Sequence, residues 1–215
     1  MDIDFNKIKT LYDIEDNSFG LEEFEILDCE NRLDIKLPKV LRKYYVQLGN
    51  HNGLNQTQDR LLLPNQLYLH DNGYLVFYEE NQAVSIWGIR QQDLTLENPL
   101  VYIAFDKDEW ILENTLSDFL TPAGYLQSLF AFPFGANAVA INNQEETFVR
   151  TNWTNTGIGL KIWDAEFFQN DLNEVLGLIK SDNQVDLFVA TETENRLKEI
   201  DKKLNFNWEY FSLDD

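Results

Sequence analysis

The hydrophobic period changes once, sharply, in the first half of the chain, and that change constrains the fold more than any single motif. Leu37, Val40, Leu41, Tyr44, Tyr45 and Leu48 recur at helical spacing and form one apolar face. Pro38 suits the first turn of such a helix, Gly49 offers a stop, and Asn52-Gly53 predicts a tight turn with positive φ. From Leu61 to Phe105 the period falls to about two. Residues 66–70 and 74–79 flank Asp71-Asn72-Gly73, a strong hairpin signal, and Ala83–Ile89 and Pro99–Phe105 continue as strands. Trp110 and Ile111 begin one more. A helix followed by a run of adjacent short strands predicts a meander of four or five antiparallel strands in an α+β fold.

The flanking segments return to helical spacing. Phe5, Ile8, Leu11 and Tyr12 predict a short helix, ended by Asn17, Ser18 and Gly20. Leu21, Phe24 and Leu27 among Glu22, Glu23 and Glu25 predict a second, with those three apolar residues inward. Leu116, Phe119 and Leu120 follow a capping Thr115, and Thr121-Pro122 predicts a fresh helix start carrying Ala123, Leu126, Leu129 and Phe130. Beyond Phe132, FPFGANAVAI, TFVRTNW and GLKIW read as strands. DLNEVLGLIK places Leu172, Val175, Leu176 and Ile179 on one helical face, QVDLFVA is a strand, and the last helix turns Leu197, Ile200 and Leu204 inward. The expected organisation is a first domain over 1–132 and a C-terminal α/β extension over 133–215, packed on it as one globule.

Charge narrows the function. The 215 residues carry 37 acids and 17 bases, a formal net charge of −20. Such a chain is repelled by phosphate, which argues against nucleic acid or an anionic membrane as a direct ligand. Between Tyr44 and Val149 there are 13 acids and only Arg60, Arg90 and Lys107 as bases, a net of −10 that attracts basic partners. The most apolar window, from Ser128, is too short and too interrupted by Pro133, Gly135 and Asn137 to span a bilayer. The N-terminus has acids where a signal peptide carries bases, and the lone Cys29 suits a reducing compartment. The expected location is the cytoplasm.

Catalytic chemistry finds little support. Only His51 and His70 are available as imidazole bases, and both read as solvated loop residues. There is no G-x-S-x-G elbow, no C-x-x-C and no phosphate loop. Asp106, Asp108 and Glu109 cluster without the glycine and distal glutamate of a calcium loop. Glu79-Glu80 and Glu145-Glu146 are sequence neighbours, which a strand would point to opposite faces. The expectation is therefore a non-enzymatic protein without metal or cofactor, acting by binding. Trp87 and Trp110, at strand ends, stand out as aromatic candidates for contact with a partner.

The order of features resembles a known family. Glu30 and Leu33, the Leu37-Pro38 helix closing at Gly49-Asn50-His51-Asn52-Gly53, the strand holding Ile86-Trp87-Gly88, and PLVY leading to LSDFL at 116–120 are similar to the SUKH superfamily over about residues 1–130. Two positions depart from its pattern: Lys39 replaces an acid after the Leu-Pro, and Leu54 a glycine after the Asn-Gly. The superfamily takes in fungal cell-wall regulators and bacterial immunity proteins. The resemblance implies a protein that binds and blocks a cognate toxin domain, often a nuclease, whose basic groove an acidic surface can occupy. The acidic strand block, with Glu79, Glu80, Asp106, Asp108 and Glu109, and the tryptophans Trp87 and Trp110, is the expected contact surface. The alternative that the resemblance implies is a regulatory scaffold in cell-wall or stress signalling.

Overall fold

The computed structural model describes residues 5–82, 84–105, 109–161, 163–172, 174–181 and 183–214. It is an α+β protein built on two antiparallel sheets. The chain divides into two compact units, Met1–Thr121 and Pro122–Asp215.

The first unit opens with helices α1 (Asn6–Leu11), α2 (Glu23–Leu33), α3 (Lys39–Leu48) and the single turn α4 (Asn52–Asn55). The apolar stripe of α3 is buried as its spacing predicts. Phe5 meets Tyr44 edge-on at 5.1 Å, and the Tyr45 hydroxyl donates to the Leu62 carbonyl at 2.5 Å. Pro38 sits one position earlier than expected, as the N-cap with extended ψ. The expected positive-φ turn at Asn52-Gly53 is instead α4, capped by His51, whose Nδ1 accepts from the Leu54 amide at 3.0 Å. His51 is thus no solvated loop residue: it packs between Phe19 and Tyr12, and burial lowers its pKa.

Helix α2 turns a different face inward than expected. Phe24 and Leu27 are exposed, while Ile26, Cys29 and Glu30 are buried. The cause is polar. Glu30 accepts from the Leu37 amide (2.9 Å), Lys36 (2.8 Å) and Arg42 (3.1 Å). Burial raises its pKa, and these three donors outweigh burial and hold it below the ordinary carboxylate value. The network ties α2 to the start of α3 and sets the rotation.

The strands are β1 (Asp59–Leu61), β2 (Tyr68–His70), β3 (Tyr74–Glu80), β4 (Ser85–Arg90), β5 (Leu100–Phe105) and β6 (Glu109–Thr115). They form one sheet in the order β1-β3-β4-β5-β6, with β2 also on β3. The β2–β3 hairpin turns at Gly73, whose φ of 78° is one that few side chains tolerate. Helix α5 (Leu116–Ala131) follows β6, its Asp118 amide bound by the Thr115 hydroxyl at 3.3 Å. The expected restart at Thr121-Pro122 does not occur. Pro122 lies inside one continuous helix, because buried side chains before and after it hold the segment in place despite the missing N–H.

The second unit holds β7 (Phe134–Ala138), α6 (Asn143–Asn152), β8 (Thr154–Leu160), β9 (Ala165–Gln169), β10 (Glu174–Ser181), β11 (Gln184–Thr191), α7 (Glu194–Leu204) and β12 (Tyr210–Phe211). The sheet order is β12-β7-β11-β10-β9-β8. Val149 and Trp153 near α6 and Leu197, Ile200 and Leu204 of α7 pack with Phe168, Leu176 and Val189 on one face. On the other, Tyr125 of α5 meets Phe167 at 5.6 Å and Phe130 meets Phe188 at 5.8 Å.

Three expectations fail in this unit. DLNEVLGLIK is not a helix; its residues from Glu174 form the interior strand β10, buried on both faces. A two-sided strand shows a continuous apolar run, which periodicity alone confuses with a helix. TFVRTNW is not a strand but most of α6, started by a capping box in which Asn142 Oδ1 binds the Glu145 amide and Glu145 binds the Asn142 amide. The GLKIW strand ends early, at Leu160, and the chain turns at Asp164 with φ of 40°.

Candidate protein-binding surface

Antiparallel registers bring four of the expected contact residues to one end of the first sheet. Glu79, Ile86, Ala104 and Trp110 stand in a single row across β3, β4, β5 and β6. The next row contains Ser85, Phe105 and Glu109, and Glu80 pairs with Asp59 of β1. Asp106 and Asp108 lie outside the described residues. Sequence neighbours Glu79 and Glu80 point to opposite faces, as strand geometry requires.

The four do different work. Glu79 is nearly buried and its charge is answered by Arg60 at 2.5 Å, with the Tyr68 hydroxyl donating at 3.3 Å. It is a cross-strand structural pair. Glu80 is half-exposed and folds over the β3–β4 turn, accepting from the Gln82 and Val84 amides at 2.9 and 3.3 Å. Glu109 is exposed. Around these two carboxylates lie large exposed apolar side chains: Val84 (53%), Phe105 (39%) and Ile111 (44%). Apolar area rimmed by like charge is the composition of a contact surface.

The tryptophans separate. Trp87 is 1% exposed and packs against Tyr78 and Phe119 in the core, so the expectation that it contacts a partner is corrected. Its neighbours on β3 and β5 supply apolar walls, and β4 is central in the sheet, so an inward side chain there has no route to solvent. Trp110 lies across the opposite face. Its ring covers Gly88 and stacks on Tyr74 at 3.9 Å, with His70 edge-on at 5.6 Å. The stack needs two small residues beneath it, Gly88 and Ala104, which share its face. Neither indole N–H has a hydrogen-bond partner among the described residues.

Sequence reasoning missed two neighbours. Asp59 is buried beside Glu80; burial, then the Glu80 charge, pushes its carboxyl up to about 6. Arg90 lies over the Tyr102 ring at 4.3 Å, donates to the Tyr74 hydroxyl at 3.3 Å, and lines an open groove of about 690 Å³ with Asn72, Gln91 and Gln92. Both depend on cross-strand register, which the linear sequence does not display.

Among the described residues His51, His70 and Cys29 lie in separate surroundings. His70 sits beside the Trp110 stack with its Nδ1 accepting from Asn72, and Cys29 is buried with its thiol pushed up by burial. Among the described residues no group of three or more His, Cys, Asp or Glu side chains is placed to hold a metal ion. No helix among them is long and apolar enough to cross a membrane. Comparison with protein-family models, with curated proteins and with solved structures returns no match.

Proposed function

We propose that the chain is a non-catalytic binding protein whose acidic sheet end captures a basic protein partner, in the manner of an immunity protein blocking a cognate toxin domain. One observation carries this reading: Glu80 and Glu109 flank the exposed Val84, Phe105 and Ile111 at one end of a sheet, in a chain of net charge −20. Apolar contact supplies the lasting affinity there, and the field supplies orientation and speed of encounter. The resemblance of residues 1–130 to the SUKH superfamily supports the immunity role in particular. A nuclease toxin fits the sign of the field, because its phosphate-binding groove is basic. Cytoplasmic residence agrees with a single reduced thiol.

The test is charge reversal at the surface carboxylates. Binding of a basic protein first captured from host lysate with the wild-type chain is expected to fall at least about tenfold in Glu80→Lys/Glu109→Lys, mainly through slower association, with a weaker salt dependence. Unchanged affinity and unchanged salt dependence would remove the acidic end from the interface. Recovery of signalling or wall-synthesis proteins in place of a basic toxin would favour the scaffold role.

A further inference from the structure

We propose that β6 is a docking edge, and that an extended basic segment of the partner adds to it as a further antiparallel strand. This rests on the reading of the sheet end as a partner surface and supplies its mode of contact. The sheet edges differ sharply from one another. Edge strands expose unpaired N–H and C=O groups, and proteins blunt them by shortness, bulges, proline or lysine. Here β1 and β2 have three residues each, and β12 has two. Strand β8 is broken by a register shift between Asn155 and Gly159, with Gly157 at φ 69°. Strand β6 has seven residues and neither proline nor lysine.

From Glu109 to Leu112 its ladder with β5 is regular, and the irregularity comes only after Leu112. Along that regular stretch Ile111 (44% exposed) and Leu112 (45% exposed) point to opposite faces. An added strand could therefore lay one apolar side chain on each face, while its backbone satisfies the open edge. The charge selects the occupant. Glu109 begins the strand, Glu80 lies at the same end of the sheet, and the whole chain is strongly acidic. A second copy of this chain would bring like charge to the edge; a lysine-bearing extended segment brings the opposite charge.

The experiment uses the full chain and a short blocked peptide with two adjacent valines between flanking lysines, so that one valine falls on each face, beside the same peptide N-methylated on alternate residues. Charge and side chains are the same in both, while the N-methyl groups remove backbone donors and block the approach of a paired strand. Amide hydrogen exchange is followed through residues 109–112, because beyond them Glu113 is buried and the Thr115 amide is already held by Asn114 Oδ1 at 2.9 Å. The unmodified peptide is expected to slow exchange of outward β6 amides about tenfold or more at low salt, and the N-methylated peptide is not. Leu112→Lys should abolish the protection while leaving circular dichroism unchanged. Equal protection by both peptides, or protection away from β6, would overturn strand addition. The two readings fail separately. Salt-sensitive binding of both peptides alike leaves the acidic surface standing without strand addition, whereas β6 protection that ignores salt leaves strand addition standing without electrostatic capture.

Discussion

At the scale of single residues, Asp59 shows how the sheet end stores a cost. Its carboxyl is pushed from 3.8 to about 6 by burial and by Glu80 across the β1–β3 pairing. Between those values the folded chain binds more protons than the unfolded chain, so stability rises as pH falls through 6 and the gain is complete below 3.8. At neutral pH the charge is a penalty. Asp59→Asn should therefore stabilise the protein near neutrality by about 1 kcal/mol, after discounting for screening, and lose that advantage below about pH 4. Urea unfolding at both pH values measures it. Equal effects at the two would contradict the shift. Gly88 carries a second prediction: a Cβ there would stand 2.8 Å from Trp110 Cζ3 and 3.1 Å from the Leu75 carbonyl oxygen. Gly88→Ala should cost about 2 kcal/mol and lift the indole off Tyr74, and Trp110→Leu in the same chain should recover part of it. Thermal unfolding with near-ultraviolet circular dichroism reads both. Nothing in Ile86-Trp87-Gly88 as a sequence announces that its glycine is a seat for a ring two strands away; the register does.

At the scale of elements, legibility follows the number of faces an element buries. Helices α3 and α7 bury one stripe each, and their spacing predicts the residues found inside. Strands β3 to β6 each pair with the next strand in the chain, so their order was legible from the period of two and the sequence of short strands. Strand β10 buries both faces and reads as a helix; α6, as long as α3, is polar and buries only Val149, so its Asn142–Glu145 capping box is what marks it. Glu174, at the start of β10, lay in that misread segment and turns out to join three elements. Fully buried, it accepts from Trp153 Nε1 (3.2 Å), the Asn170 and Asp171 amides (2.9 and 3.2 Å) and Arg196 Nε (2.7 Å). Arg196→Met removes the one cationic donor among these and leaves a buried carboxylate with neutral donors only. The expected loss is about 3 kcal/mol in chemical unfolding. Glu174→Gln paired with Arg196→Met should cost less than the two single losses added together, and simple additivity would mean the pair is not coupled.

At the scale of the whole molecule, charge was legible from composition and its placement was not. The net of −20 predicts attraction of basic partners over distances of about a Debye length, roughly 10 Å at moderate salt. Composition could not say that Glu79 is consumed by Arg60, that Trp87 is core, or that Val84, Phe105 and Ile111 emerge beside Glu80 and Glu109. Those follow from strand pairing over long sequence separations. The most direct measurement is affinity capture from the host's lysate with the wild-type chain and Glu80→Lys/Glu109→Lys side by side, at low and at high salt. A basic protein is expected to be held by the wild type at low salt, released at high salt, and not held by the variant. The same proteins held by both chains at both salt levels would contradict electrostatic capture.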